Sequence, residues 1–172
     1  MFLKRPTKTP YAVQFNLNAC GPAVLEMVYR YNGLKNISQE KLYSEYQGLE
    51  PHGSGNYRMT TDNLVSDARK KGLNSFWARA NYESSDDVKN LLETLTKQLR
   101  IPVIVCQKLS DQYPQIGHFR VVLSIDKDNI SLHDPSPDIG GASQKWPIQK
   151  FIDFWKPTGQ NVTGGIFIVI KK

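Results

Sequence analysis

The chain has 172 residues, 40% hydrophobic and 10% aromatic, with 22 Lys and Arg against 16 Asp and Glu for a formal charge of +6. That is ordinary globular composition, long enough to bury a core, and one domain over residues 1–172 is expected. No run approaches the roughly 18 apolar residues of a membrane helix, and the basic residues are scattered without a nucleic-acid motif, so neither a membrane span nor a nucleic-acid partner is expected.

MFLKRPTKTP has charge but no apolar centre of a secretory signal, which places the expected protein in the cytoplasm and makes the sequons at Asn36, Asn129 and Asn161 chance matches. The first dozen residues read as a poorly ordered or edge segment leading to Gln14. In QFNLNACGPAVLEMVYRYNG, Val24, Met27, Val28 and Tyr31 fall on one face of a helix, with Pro22 in its first turn and Gly33 just past its end. Ser38 caps a short helix to about Tyr46. A polar loop over Gln47–Met59 follows, containing Pro51, His52, Gly53 and Gly55. Thr61 reads as the N-cap of a helix to Lys71 closed by Gly72, and Asn74–Arg79 as a strand. Ser85 caps the clearest helix, Asp86–Leu99, whose apolar stripe is core. Residues 102–106 read as a buried strand with Cys106 as a core residue, and Leu109–Gly117 as a loop. Phe119–Ile125 and Ile130–His133 make a hairpin turning at Asp126–Asn129. Asp134-Pro-Ser-Pro-Asp breaks it, a Gly-rich loop follows, Pro147–Trp155 is helical, and Gly165–Ile170 closes the chain as a strand. Helices first and antiparallel strands later predict an α+β fold, a helical half packed on an antiparallel sheet.

Cys20 lies where a polar loop becomes a helix, with Gly21 leaving the thiol uncrowded. The unpaired N–H groups and positive dipole end favour a thiolate, the nucleophilic form. Alone, such a cysteine is a small buried hydrophobe; a catalytic one needs a base, an orienter for the base and an oxyanion donor. His118 opens the first hairpin strand and Asp134 ends the second, so a turn at Asp126–Asn129 brings both to one edge of the sheet. Gln14, in the loop ahead of Cys20, is placed to donate to an oxyanion alongside the Cys20 N–H. His133 has opposite strand parity to Leu132 and no partner at helpful spacing, and ranks below His118. The two cysteines and three histidines have no C-x-x-C or H-x-x-x-H spacing, so no metal or cofactor is implied, and a reducing compartment argues against a Cys20–Cys106 disulfide.

The run Gln14…Cys20-Gly21-Pro22-Ala23 with a downstream Tyr-Asn-Gly resembles the start of the bacteriocin-processing cysteine peptidases. The resemblance continues through Thr61–Arg79, residues 101–107, His118-Phe119…Val121-Val122-Leu123, Asp134-Pro135 and Phe151…Trp155, and so covers nearly the whole chain. It implies a papain-like cysteine peptidase fold and removal of double-glycine leader peptides. Cys20 would then be the nucleophile, His118 the general base and acid, Asp134 the orienter and Gln14 the oxyanion donor. Many relatives have Asp just before the cysteine, where this chain has Ala19. Such domains often form the N-terminal part of an export transporter; no membrane segments or nucleotide-binding motor follow here, so a stand-alone domain serving a transporter in trans is expected. The implied partner is a peptide or protein substrate. The same residues also suit acyl transfer (a deamidase, transglutaminase-like or ligase activity), a non-catalytic peptide-binding module, or a host-directed toxin protease.

Overall fold

The computed structural model describes residues 8–47 and 58–172. Most of the loop expected over Gln47–Met59, including His52, and the first seven residues of the chain lie outside these. In chain order the elements are α1 (Cys20–Tyr31), α2 (Gln39–Gln47), α3 (Thr61–Lys70), β1 (Asn74–Arg79), α4 (Ser85–Glu93), a π-helical turn Thr94–Gln98, β2 (Val103–Lys108), β3 (Gly117–Ile125), β4 (Asn129–Asp134), β5 (Gly141–Pro147), α5 (Ile148–Trp155) and β6 (Ile166–Lys171). The strands form one sheet in the order β1-β6-β2-β3-β4-β5, antiparallel at every pairing.

Side chains alternate across a strand, and here the alternation splits the apolar residues between two cores. Ile104, Phe119, Val121, Ile168 and Ile170 pack with α1, α2 and α3; Val103, Val105, Val122, Phe167 and Val169 pack with α4 and α5. The sheet is thus covered on both faces, each fully buried Val or Leu contributing about 1.5–3 kcal/mol. α1 is the central helix of the first core: Val24, Leu25, Met27, Val28 and Tyr29 are inaccessible to solvent. Among the described residues no helix is long and apolar enough to cross a membrane.

The helix starts differ from the expected ones by one residue. Thr60, rather than Thr61, caps α3, accepting from Asn63 N–H at 3.2 Å while the Asn63 side chain accepts from Thr60 N–H. Ser84, rather than Ser85, caps α4 through the same reciprocal arrangement with Asp87. Both are capping boxes, whose third residue decides which of two adjacent hydroxyls is the cap. The helix expected to run to Leu99 is regular only to Glu93 and then widens into the π turn. The Gly-rich stretch expected as a loop is largely β5, an edge strand of which only Trp146 is buried, so it has no alternating apolar pattern to read. Cys106 is half-buried at the edge of the α1 core rather than within it.

Candidate active site

α1 begins at Cys20 itself. Ala19, at the N-cap, donates its N–H to Asn16 O at 3.2 Å, and neither a capping side chain nor an acidic first-turn residue competes for the helix's positive end. That end is left to the thiol. Gly21 serves packing more than access to sulfur. A Cβ there would lie 3.0 Å from Met59 Cβ and 3.3 Å from Leu64 Cδ1, so its absence lets α1 start hard against α3 and the segment before it.

His118 sits in the part of β3 that overhangs β4, whose pairing with β3 reaches only as far as Val121 opposite His133. The His118 Nε2 and Asp134 Oδ1 are 2.7 Å apart, and the ring also hydrogen-bonds the Cys20 thiol, for which Nδ1 remains. Cys20, His118 and Asp134 thus form one buried chain of hydrogen bonds from sulfur to carboxylate. Burial alone would raise the Cys20 thiol pKa. The His118 hydrogen bond and charge, with the Phe119 N–H and the charge of Arg58, outweigh it, and the thiol titrates below its ordinary range. Burial and the charge of Arg120 push His118 down, but Asp134 and Cys20 hold it above its ordinary value. Asp134, in spite of burial, is lowered to about 2 by His118, Arg120 and the Ser136 N–H.

Gln14 is joined to the site through its backbone, with its N–H donating to Pro135 O at 2.8 Å, directly after Asp134. Its side chain is buried; Nε2 donates to Asn16 O at 3.0 Å, and Oε1 has no partner among the described residues. The loop holding Gln14 is clamped from α2. Gln39 accepts from Phe15 N–H at 3.0 Å and donates to Val13 O at 2.6 Å, while its own N–H donates to Glu26 on α1 at 2.8 Å.

Sequence reasoning missed the residue that fixes Asp134. Arg120 is fully buried, and Nε donates to Asp134 Oδ2 at 2.6 Å. Its other nitrogens donate to Gln107 Oε1 and to the carbonyls of Lys108 and Leu109, and its guanidinium lies over the Trp146 ring at 4.9 Å. Strand parity was the available signal: Arg120 is two residues beyond His118 and so shares its side of β3. Tyr11, whose hydroxyl donates to Asp134 O at 2.9 Å, gave no such signal. Gly140 completes the setting, because a Cβ there would meet Asp134 Cγ at 2.3 Å. His133 has partners from elements that spacing could not connect: its Nε2 lies 3.0 Å from Thr9 O, and Nδ1 accepts from Ser143 N–H at 2.9 Å. Both cysteines are free thiols, and no cluster of three or more metal-ligating residues occurs among the described residues.

Solved structures share this fold. The peptidase domain of Streptococcus ComA, a bi-functional ABC transporter of a quorum-sensing pathway, superposes with a TM-score of 0.66 at 21% identity, over 95% of this chain and 98% of that one. A double glycine motif protease from an AMS/PCAT transporter, solved with its leader peptide, gives 0.63 at 22% identity over 97% and 93%. The N-terminal peptidase C39 like domain of a Vibrio parahaemolyticus toxin secretion ATP-binding protein gives 0.56 at 22% over 91% and 98%. No curated protein matches. The α+β arrangement of helices on a six-stranded antiparallel sheet is that of the papain-like C39 peptidases. Residues 7–163 match the Peptidase_C39 like family, and the chain belongs to that family of cysteine peptidases.

Proposed function

We propose that this protein hydrolyses peptide bonds after the double glycine of a leader peptide, with Cys20 as nucleophile, His118 as general base and acid, Asp134 as orienter and Gln14 as oxyanion donor. The observation carrying this reading is the hydrogen-bonded chain Cys20–His118–Asp134, with the buried thiol lowered and the imidazole raised. Opposite shifts in two touching groups favour the thiolate–imidazolium pair over the neutral pair. The thiolate attacks the scissile carbonyl carbon. The resulting oxyanion is met by the Cys20 N–H at the start of α1 and by Gln14. His118 gives its Nδ1 proton to the departing amine, leaving an acyl-enzyme. Water then attacks the thioester as His118 takes a proton from it, and the freed thiolate recovers its imidazolium partner. Asp134 keeps its charge throughout and holds Nε2–H, itself held by Arg120.

The substrate class draws on the relatives, one of them a double glycine motif protease solved with a leader peptide. By that likeness an export transporter is the partner, and cleavage takes place on the cytoplasmic face. The test is a panel of leader-like peptides varying the two residues before the cut, read by mass spectrometry. Cleavage confined to Gly-Gly supports the full reading. Cleavage indifferent to those residues removes the leader specificity, and amine-modified products would replace hydrolysis by acyl transfer.

A further inference from the structure

On the α1 face, beyond the C-terminal end of that helix, the outer half of the sheet is hollowed by a cavity of about 880 Å3. Its floor comes from β3, β4 and β5, and its walls from the segment Lys8–Tyr11, Tyr31 at the end of α1, and residues 96–102. Two irregularities open it. The β3–β4 register shifts between Val122 and Ser124, and the β4–β5 register between Leu132 and Asp134, re-aiming side chains on that surface. Arg100 and Ser143, both on its lining, are non-glycine residues in left-handed conformations, with φ of 54° and 51°. Such backbone persists where surrounding structure imposes it, and it concentrates at ligand sites.

The lining is chemically one-sided. Tyr11, Tyr31, Ile101, Pro102 and Leu123 make it apolar, and among the described residues every charged one on it is basic: Lys8, Lys97, Arg100 and Lys145. Lys97 is matched by Glu93 at 2.7 Å. Lys8 and Lys145 have no carboxylate partner among the described residues. An apolar hollow of this size with convergent positive charge has the form of a small-molecule site.

We propose that this cavity binds a small amphiphilic anion, an apolar body carrying a carboxylate head, with the body on Tyr11, Tyr31 and Leu123 and the head met by Lys8 and Lys145. The cavity is not lined by Cys20, His118 or Asp134, but it shares Tyr11 with them, since the hydroxyl of that residue donates to Asp134 O. The inference does not depend on the proposed peptidase reaction.

Decanoate below its micelle concentration is the probe, with decanol as its neutral counterpart, measured by calorimetry on the whole chain. The expected result is saturable one-to-one binding of decanoate, about tenfold tighter than decanol, with shifted methyl resonances at Leu123 and Ala142 and a raised Tm. Lys8→Glu with Lys145→Glu, both exposed positions, is expected to weaken decanoate at least about tenfold and leave decanol unchanged. Absence of saturable binding, equal affinity for acid and alcohol, or indifference to the charge reversal would overturn the proposal. So would methyl shifts confined to other parts of the chain, or occupation of the cavity by an acidic peptide that decanoate fails to displace.

Discussion

The chain holds two cysteines and, among the described residues, two histidines, and the fold treats the members of each pair in opposite ways. Cys20 is buried in the α1 core and Cys106 is half-buried at the edge of the same core. The Cys20 thiol, at a helix start and bonded to an imidazole, is lowered. The Cys106 thiol, in mid-strand with a long contact of 3.8 Å to Asn161 O, is pushed up to about 12 by burial and by the charge of Cys20. His118 and His133 lie on neighbouring strands and are both nearly inaccessible, yet one is raised by Asp134 and Cys20 while burial lowers the other. Burial therefore does not decide reactivity here; the second polar group does. A buried thiol or imidazole becomes chemically poised only where an ionisable partner repays desolvation.

The comparison breaks most directly at the cysteines. Cys20→Ala is expected to reduce peptide cleavage by about five to six orders of magnitude with folding intact, and Cys106→Ala to leave cleavage unchanged. Equal losses in both, in an assay corrected for folded protein, would end the distinction. Iodoacetamide labelling follows next. Cys20 should react well below the free-thiol pKa of about 8.5, and His118→Ala should slow its labelling at pH 6 roughly a hundredfold. Cleavage should follow a bell-shaped pH profile, its acid limb set by the lowered thiol and its alkaline limb by the raised imidazole. A profile with a single limb would argue against the ion pair.

Arg120 sharpens the histidine half of the comparison, because with His118 it supplies the positive charge that lets Asp134 remain ionised in a closed interior. Arg120→Met leaves Asp134 buried with one partner fewer and deprives Gln107 Oε1 and two carbonyls of donors. Urea unfolding should show a loss of about 3–5 kcal/mol. Asp134 gives a related acid dependence. Its pKa, about 2 when folded and near 3.9 unfolded, means the stability it contributes is fully present above the unfolded value and is lost as pH falls toward 2. About 2 kcal/mol should disappear between those limits, and Asp134→Asn should remove that part of the acid transition.

How far the sequence carried this reading varies with the range of the signal. Local signals were reliable: the helix starting at Cys20, the left-handed Gly33 and Gly72, and the hairpin that aligns His118 with Asp134 all follow from nearby residues. Capping boxes depend on a third residue, and those two helix starts moved by one. β5 escaped because an exposed edge strand has no periodic pattern to reveal it. Within the site, Arg120 was legible by parity but masked by its charge, since an arginine in a strand of Val and Phe ordinarily faces solvent. Tyr11 and Gln39 were illegible because each acts across a fold-dependent distance, such as the 123 positions between Tyr11 and Asp134.

The smallest effect belongs to His133, and its value lies in its sign. This imidazole is held neutral, with Nε2–H directed at Thr9 O and Nδ1 accepting from Ser143 N–H. His133→Gln keeps a donor toward Thr9 but leaves Ser143 N–H without its acceptor, a loss of about 1 kcal/mol. The pH dependence separates the two histidines. A histidine lowered by folding stabilises above its unfolded pKa, near 6.5, and that contribution is lost as pH falls from there through the lower folded value, because the unfolded chain takes up the proton first. His118, raised by folding, contributes fully below 6.5 and loses its contribution as pH rises through its folded value. The Cys20 thiol beside His118 is lowered and works in the opposite sense, so His133 alone gives an unmixed slope. Urea midpoints taken from pH 5 to pH 8 should therefore rise less steeply in His133→Gln than in the parent chain. Parallel curves for the two would mean that His133 does not titrate differently in the folded chain.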